Sequence, residues 1–370
     1  MDLIVDGIIF ETNPYGGIAR IFKNILPILC DLDPKLKITL FLRNNRYVNV
    51  PEHKRISIII LSDFCNFRPR RLWKPFLKKA KFFYLKNSIK NNPKSIWMST
   101  YFTRPPFKWH GKEVVWVHDM IYEFYPDKLQ GAKDVIARKK AAVTASEKII
   151  CNSNTTAKDL LFFYPEFKNK TSVILLSHDP IFTYRKPSKR DRILSDPFLL
   201  YVGKRSSYKG FDTLLEAYLY CLLKESTKLV VVGAPWSVGE LETINHFGLE
   251  DKIILFENID DRMLNDLYNQ AKAFIYPSLY EGFGIPLLKA MACGCPIVAS
   301  RIPSTQEVAG DIPIYFEPED PKSLADALDQ LQLNSMLNKR IEKGIEKASL
   351  YSWEKTALEF YNRLKELHDK

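Results

Sequence analysis

No apolar run in this 370-residue chain approaches the ~20 residues that a helical membrane span needs. The opening stretch, MDLIVDGIIFETNPYGG, has acids inside its apolar run and no basic leader, so no signal peptide is expected. Six cysteines (Cys30, Cys65, Cys151, Cys221, Cys293 and Cys295) lie without metal-ligand spacing. Cys293-Gly-Cys295 is too close for a zinc knuckle and has no second pair, which excludes a zinc module. Reduced thiols in a cytoplasmic protein are the expectation. Internal repeats and low-complexity stretches are missing too. Between Phe64 and Lys112 there is not one Asp or Glu.

What is present is ordinary in bulk and unusual in charge. Hydrophobic residues make up 46% of the chain and charged residues 26%, as in a globular protein. The net charge of +11 favours anionic partners. A chain of this length exceeds what one core supports, so two domains are expected. Short β-rich runs alternate with helical periodicity, the pattern of parallel α/β units. Strands are predicted at Leu3–Phe10, Ile38–Leu42, Ile56–Leu61, Val114–Val117, Lys148–Cys151 and Val173–Leu175. A polar, proline-bearing stretch at 184–197 reads as a linker. Beyond it come Phe198–Val202, Lys228–Val232, Lys252–Phe256, Ala273–Tyr276, Pro296–Ala299 and Ile312–Tyr315. Several are apolar throughout, as strands covered by helices on both faces must be. The reading is α/β, with two Rossmann-like doubly wound domains: 1–188 with a returning helix at 352–370, and 189–351.

In such sheets ligands bind beyond the carboxyl ends of strands, where loops meet helix N-termini. Three loops have that placement. NPYGGIAR (13–20) offers Gly16 and Gly17 before a helix, although a glycine pair after a strand is often only a tight turn. YVGKRSSYKGF (201–211) gathers Lys204, Arg205 and Lys209 between Gly203 and Gly210. Basic residues on a loop are usually just solvated, but clustered at a strand's end they suit a diphosphate. YPSLYEGFGIPLLKAMACGCPIVAS (276–300) sets Glu281 in a bend, with Pro286 in a first helical turn and Gly294 as the stop.

The order and spacing of these pieces, with VHDMIYEFYPD, STQEVAGD and the terminal YSWEKTA, resemble the family 4 retaining glycosyltransferases of the GT-B fold. Members of this kind include envelope and O-antigen-type mannosyltransferases. The resemblance covers nearly the whole chain, with 43–112 the least recognisable. It implies transfer of a sugar from a nucleotide-diphosphate donor, held between two domains that close by a hinge, to the hydroxyl of a saccharide or lipid-linked saccharide acceptor. It implies no metal, and no cofactor beyond the donor itself. Lys209, with Lys204 or Arg205, would neutralise the diphosphate, while Gly16 and Gly17 let backbone approach it. Glu281 would accept hydrogen bonds from the sugar's hydroxyls. Phe283, Gly284, Ile285 and Pro286 would border the phosphates and sugar. A lone histidine would ordinarily cap Asp119 or satisfy a loop carbonyl; with the motif, His118 is expected near the reacting centre, catalytic alongside Glu281 and Lys209. No second acid accompanies Glu281, so retention is expected by same-face displacement rather than by an enzymic nucleophile.

Lys289 departs from the pattern, which places there a glutamate that receives ribose hydroxyls. An ammonium has donors and no acceptor. Ribose is then held elsewhere with Lys289 reaching phosphate, or the donor carries deoxyribose, or activity is lost. A sugar-nucleotide epimerase and a nucleotide-sugar-binding pseudoenzyme are the competing readings. The acid-free segment holds thirteen Lys and Arg. Within it, 72–92 reads as an amphipathic helix, either packed on the first sheet or, with its flanks (68–94), docked on an anionic membrane at the inner face of the cell membrane. Nucleic acid is not expected, since no recognised binding module is present.

Overall fold

A computed structural model describes residues 1–43, 47–60, 93–186, 192–333 and 336–369. The expected amphipathic helix at 72–92 falls outside them. The chain divides into two compact units, Met1–Leu176 with Trp353–Lys370, and Ser177–Ser352.

The first unit is built on a seven-stranded parallel sheet: β1 (Asp2–Asp6), β2 (Lys37–Leu42), β3 (Ile56–Ile60), β4 (Ser95–Ser99), β5 (Lys112–Val117), β6 (Lys148–Cys151) and β7 (Thr171–Val173). Their order is β3-β2-β1-β4-β5-β6-β7. Helix α1 (Gly17–Leu32) packs with the last helix of the chain, α11 (Trp353–Asp369), whose Phe360 ring lies 5.2 Å from Trp116 of β5. Helices α2 (Ala132–Ala145) and α3 (Asn154–Phe163) belong to the same unit.

The second unit holds a six-stranded parallel sheet: β8 (Phe198–Val202), β9 (Lys228–Val232), β10 (Ile253–Phe256), β11 (Ala273–Tyr276), β12 (Ile297–Ser300) and β13 (Ile314–Phe316). Its order is β10-β9-β8-β11-β12-β13. Its helices are α4 (Phe211–Tyr220), α5 (Val238–His246), α6 (Asp261–Gln270), α7 (Ile285–Ala292), α8 (Pro303–Ala309), α9 (Pro321–Leu333) and α10 (Leu337–Ser349). The central strands are buried along their length, which explains their unbroken apolar sequence. In each sheet the order reverses beside the first strand, at β1/β4 and at β8/β11. Loops leaving paired strands there part to opposite faces, opening a crevice at the strands' carboxyl ends.

Three details depart from the sequence reading. β1 stops at Asp6, whose carboxylate accepts the Ile8 amide at 3.2 Å and pairs with Arg43; the apolar run then turns into a short helix, Ile9–Thr12. β4 was not expected. Its five residues, SIWMS, are all buried, but the flanking serines shorten the apolar run to three. The second unit begins at Ser177, not at 189. Phe182 packs on Tyr268 at 6.1 Å, and the amides of Thr183, Arg185 and Ile193 donate to side chains of Asn265, Asn269 and Gln270 on α6. Much of the expected linker is thereby docked on the second unit.

Candidate functional site: two loops at the switch point of the second sheet

β8 and β11 are neighbours, so the loops that follow them emerge side by side. They touch through backbone. Leu279 donates its amide to Tyr208 O at 2.8 Å, and a Cβ on Gly210 would sit 2.1 Å from Pro277 O. Gly210 also has φ of +64°, so glycine is needed there twice over. This contact brings Lys209 from one loop to Glu281 on the other, Nζ to Oε1 at 2.5 Å. Neither side chain is fully buried, at 21% and 13% exposure, so both can be reached by a ligand. The Tyr276 hydroxyl, at the end of β11, also hydrogen-bonds Glu281. Burial first, and the Glu281 charge second, push that phenol well above its usual range, so it stays a neutral donor.

Beside this pair begins α7. Gly284 at its N-cap has φ of +116°, no side chain caps the helix, and no acid stands in its first turn. Pro286 fits that turn because the helix's opening amides lack internal partners anyway. The helix therefore presents N–H groups and positive dipole to an anion. Ile285 is half-buried, while Phe283 is buried and meets Tyr351 edge-on at 6.2 Å, so it anchors the bend.

The two basic alternatives on the first loop separate clearly. Lys204 is exposed. Arg205 is only 4% exposed: its Nε donates to Glu240 at 2.6 Å, its Nη2 to the carbonyls of Ala234 and Pro235 at 2.9 Å, and its guanidinium lies 4.4 Å from the Trp236 ring centre. Burial alone would push the Glu240 carboxyl up, but hydrogen bonds from Arg205 and Ser237 outweigh it and hold the group below its usual range. Arg205 is thereby held towards Glu240 and Trp236, with only Nη1 lacking a partner among the described residues. Lys289 lies in the second turn of α7, its Nζ 3.9 Å from the Phe182 ring centre and 3.8 Å from Asp261 Oδ1.

In the first unit, Gly16 caps α1 without a side-chain bond. A Cβ there would meet Asn13 at 2.4 Å, whereas one on Gly17 would meet none of the described residues within 4 Å. Gly16 serves the local turn, and Gly17 is open to approach from the described residues' side. His118 follows β5 in a box of aromatic rings, stacked on Trp116 at 6.4 Å and edge-on to Phe22 of α1 at 6.0 Å. Among the described residues its two buried ring nitrogens have no well-formed hydrogen bond, only the Thr100 backbone nearby, a cost of about 1–3 kcal/mol for each unpaired group that is tolerated mainly at functional positions. Burial, with a smaller push from Lys139, lowers its pKa to about 4 against the opposing pull of Asp119 and the Thr100 backbone. The imidazole is neutral at physiological pH.

Several contributors had no signal in the sequence. Asn152 donates to His118 O at 2.8 Å. Buried Lys139 donates to Asp119 O at 2.9 Å and to Glu123 at 2.7 Å, fixing the backbone on both sides of the His118–Asp119 peptide. Tyr276 and Asp261 were missed likewise. Among the described residues no three His, Cys, Asp or Glu side chains gather as a metal site would need, and no helix is long and apolar enough to cross a membrane.

Residues 185–348 match the family model described as Glycosyl transferases group 1. The chain is 31% identical over 216 residues to the O-antigen chain mannosyltransferase B of Escherichia coli, an alignment covering 55% of this chain and 56% of that protein. The match thus spans little more than half of the relative's length. Among solved structures, the sucrose-phosphate synthase of Thermosynechococcus elongatus superposes with a TM-score of 0.77 at 19% identity, covering 99% of both chains. Anabaena HepE, in complex with UDP and glucose, gives 0.72 at 16%, covering 98% of this chain and 99% of its own. These two likenesses speak to the fold. The second unit thus carries a domain that matches the group 1 glycosyl transferases, and the two-sheet α/β frame is of the GT-B kind.

Proposed function

We propose that the protein is a retaining glycosyltransferase of family 4 type. It would move a sugar from a nucleotide-diphosphate donor to a hydroxyl of a saccharide or lipid-linked saccharide in surface-polysaccharide synthesis. One observation carries the reading: Lys209 and Glu281, 2.5 Å apart, stand on adjacent loops beside the uncapped start of α7. The site offers cations and N–H groups to a diphosphate, and a carboxylate to sugar hydroxyls. The O-antigen mannosyltransferase relative, and the UDP and glucose held by HepE, support that assignment of ligands.

In the reaction the bond between the anomeric carbon and the diphosphate oxygen breaks, and one forms to the acceptor oxygen on the same face. The acceptor's proton passes to the departing phosphate oxygen. Negative charge growing on that oxygen is met by Lys209, Lys204 and the amides of α7, which supply what a divalent ion supplies in other transferases. Glu281, oriented by Tyr276, grips sugar hydroxyls and is no nucleophile. Neutral His118 can donate to or accept from a sugar hydroxyl without adding charge beside the cationic transition state. Gly16 and Gly17 would give the diphosphate a close approach to backbone.

The test is transfer in the presence of EDTA, followed by NMR of the product's anomeric centre. Acceptor-dependent release of nucleoside diphosphate with configuration retained is expected. Inversion, or an absolute need for a divalent ion, would overturn the mechanism.

A further inference from the structure

Lys289 occupies the second turn of α7 with its side chain 10% exposed. Its ammonium is not aimed outward: it lies over the Phe182 ring at 3.9 Å and 3.8 Å from Asp261 Oδ1. Asp261 is the first residue of α6, but the N-cap there is Asp260, whose carboxylate accepts the Met263 amide at 2.8 Å. The Asp261 side chain is 34% exposed. The pair thus sets a buried cation, roofed by an aromatic ring, beneath a carboxylate that reaches solvent.

The position matters if the start of α7 holds the donor's phosphates, and this inference rests on that reading. A ribose is bonded directly to the α-phosphate, so its hydroxyls fall within about one helical turn, roughly 5 Å, of a phosphate seated at the helix start. Lys289 lies one turn along from Ile285. Ribose hydroxyls need an acceptor, and a lysine has none. The carboxylate beside it has two oxygens, each able to accept. A bare carboxylate so near a diphosphate would repel it, whereas one beside an ammonium forms a pair of zero net charge. The Phe182 ring and the ammonium together restrict where that carboxylate can point.

We propose that Asp261, oriented by Lys289, receives the hydroxyl hydrogens of the donor's ribose, so that this pair selects ribonucleotide over deoxyribonucleotide donors. The acid lies on α6, and the lysine on α7 holds it in place.

Calorimetric titration with UDP, GDP and ADP and their 2′-deoxy and 3′-deoxy counterparts, using the full chain, tests this. For whichever base binds, the wild type should favour the ribonucleotide by about tenfold or more, the size expected for hydrogen bonds to a charged acceptor. Asp261→Ala should bring that ratio close to one by lowering affinity for the ribonucleotide to that of its deoxy counterpart, whose own binding is kept. Lys289→Met, which fills the same space without charge, should lower the ratio too, and a melting curve for each variant shows that it is folded. Equal binding of ribo and deoxy ligands by the wild type, or an unchanged ratio in folded Asp261→Ala, overturns the inference while leaving the transferase reading in place. Failure of every nucleoside diphosphate to bind overturns both.

Discussion

Gly210→Ala is the sharpest perturbation the structure offers. The residue has φ of +64°, where an added Cβ costs about 1–2 kcal/mol in an L-residue. That Cβ would also stand 2.1 Å from Pro277 O, with the Pro277 carbonyl carbon at 2.9 Å, and backbone cannot yield as a flexible side chain can. Overpacking of this kind adds about 1–3 kcal/mol, for a total of about 2–5 kcal/mol. In a unit of this size each kcal/mol moves Tm by about 2–4 °C, so the midpoint should fall by roughly 4–20 °C. The strain has one easy release: the β8 and β11 loops move apart, breaking the Leu279–Tyr208 bond and separating Lys209 from Glu281. Displacement of about 1 Å at a reacting centre costs about 100-fold in turnover. Differential scanning calorimetry and initial rates with a sugar-nucleotide donor measure the two effects. A variant that melts within about 1 °C of the parent and turns over normally would show that the loop contact is not set by the missing side chain.

Gly17→Ala should behave in the opposite sense for stability. Its Cβ meets none of the described residues within 4 Å and alanine suits a helix start, so Tm should hold or rise, with a gain of up to about 1 kcal/mol, while donor affinity falls if backbone approaches the diphosphate there. Titration with nucleoside diphosphate, set beside the melting curve, checks both halves. His118 has its pKa depressed from 6.5 to about 4, so folding favours the neutral ring. Its stabilising contribution is complete above pH 6.5 and is lost as pH falls from there towards 4. NMR of the ring protons should show no His118 titration between pH 8 and 6, and a midpoint near 6.5 would contradict its burial.

Much of this architecture was legible because two kinds of residue announce themselves locally. Apolar strands bounded by turn residues marked the sheets, and glycines with charged neighbours marked the loops at their carboxyl ends. β4 escaped because its serines are buried at both ends of a three-residue apolar core, a fact known only once neighbouring strands enclose it. β1 was read too long because Ile8, Ile9 and Phe10 continue the apolar run, while the turn depends on Asp6 capturing the next-but-one amide. Lys204 and Arg205 could not be told apart in sequence. What separates them is Glu240, 35 residues away, which holds the arginine over Trp236. The docking of Lys289 beside Asp261 and the grip of Tyr276 on Glu281 likewise join residues that only the fold brings near.

In the proposed reaction protein cations and helix amides carry the diphosphate's charge. The most direct measurement is donor turnover in EDTA by the wild type and by Lys209→Met, which keeps the side chain's length and removes its charge. The expected result is a metal-free wild-type reaction and a loss of at least about 100-fold in kcat/KM for the variant, equivalent to about 2.7 kcal/mol of transition-state stabilisation. Equal kcat/KM for the two proteins would contradict it.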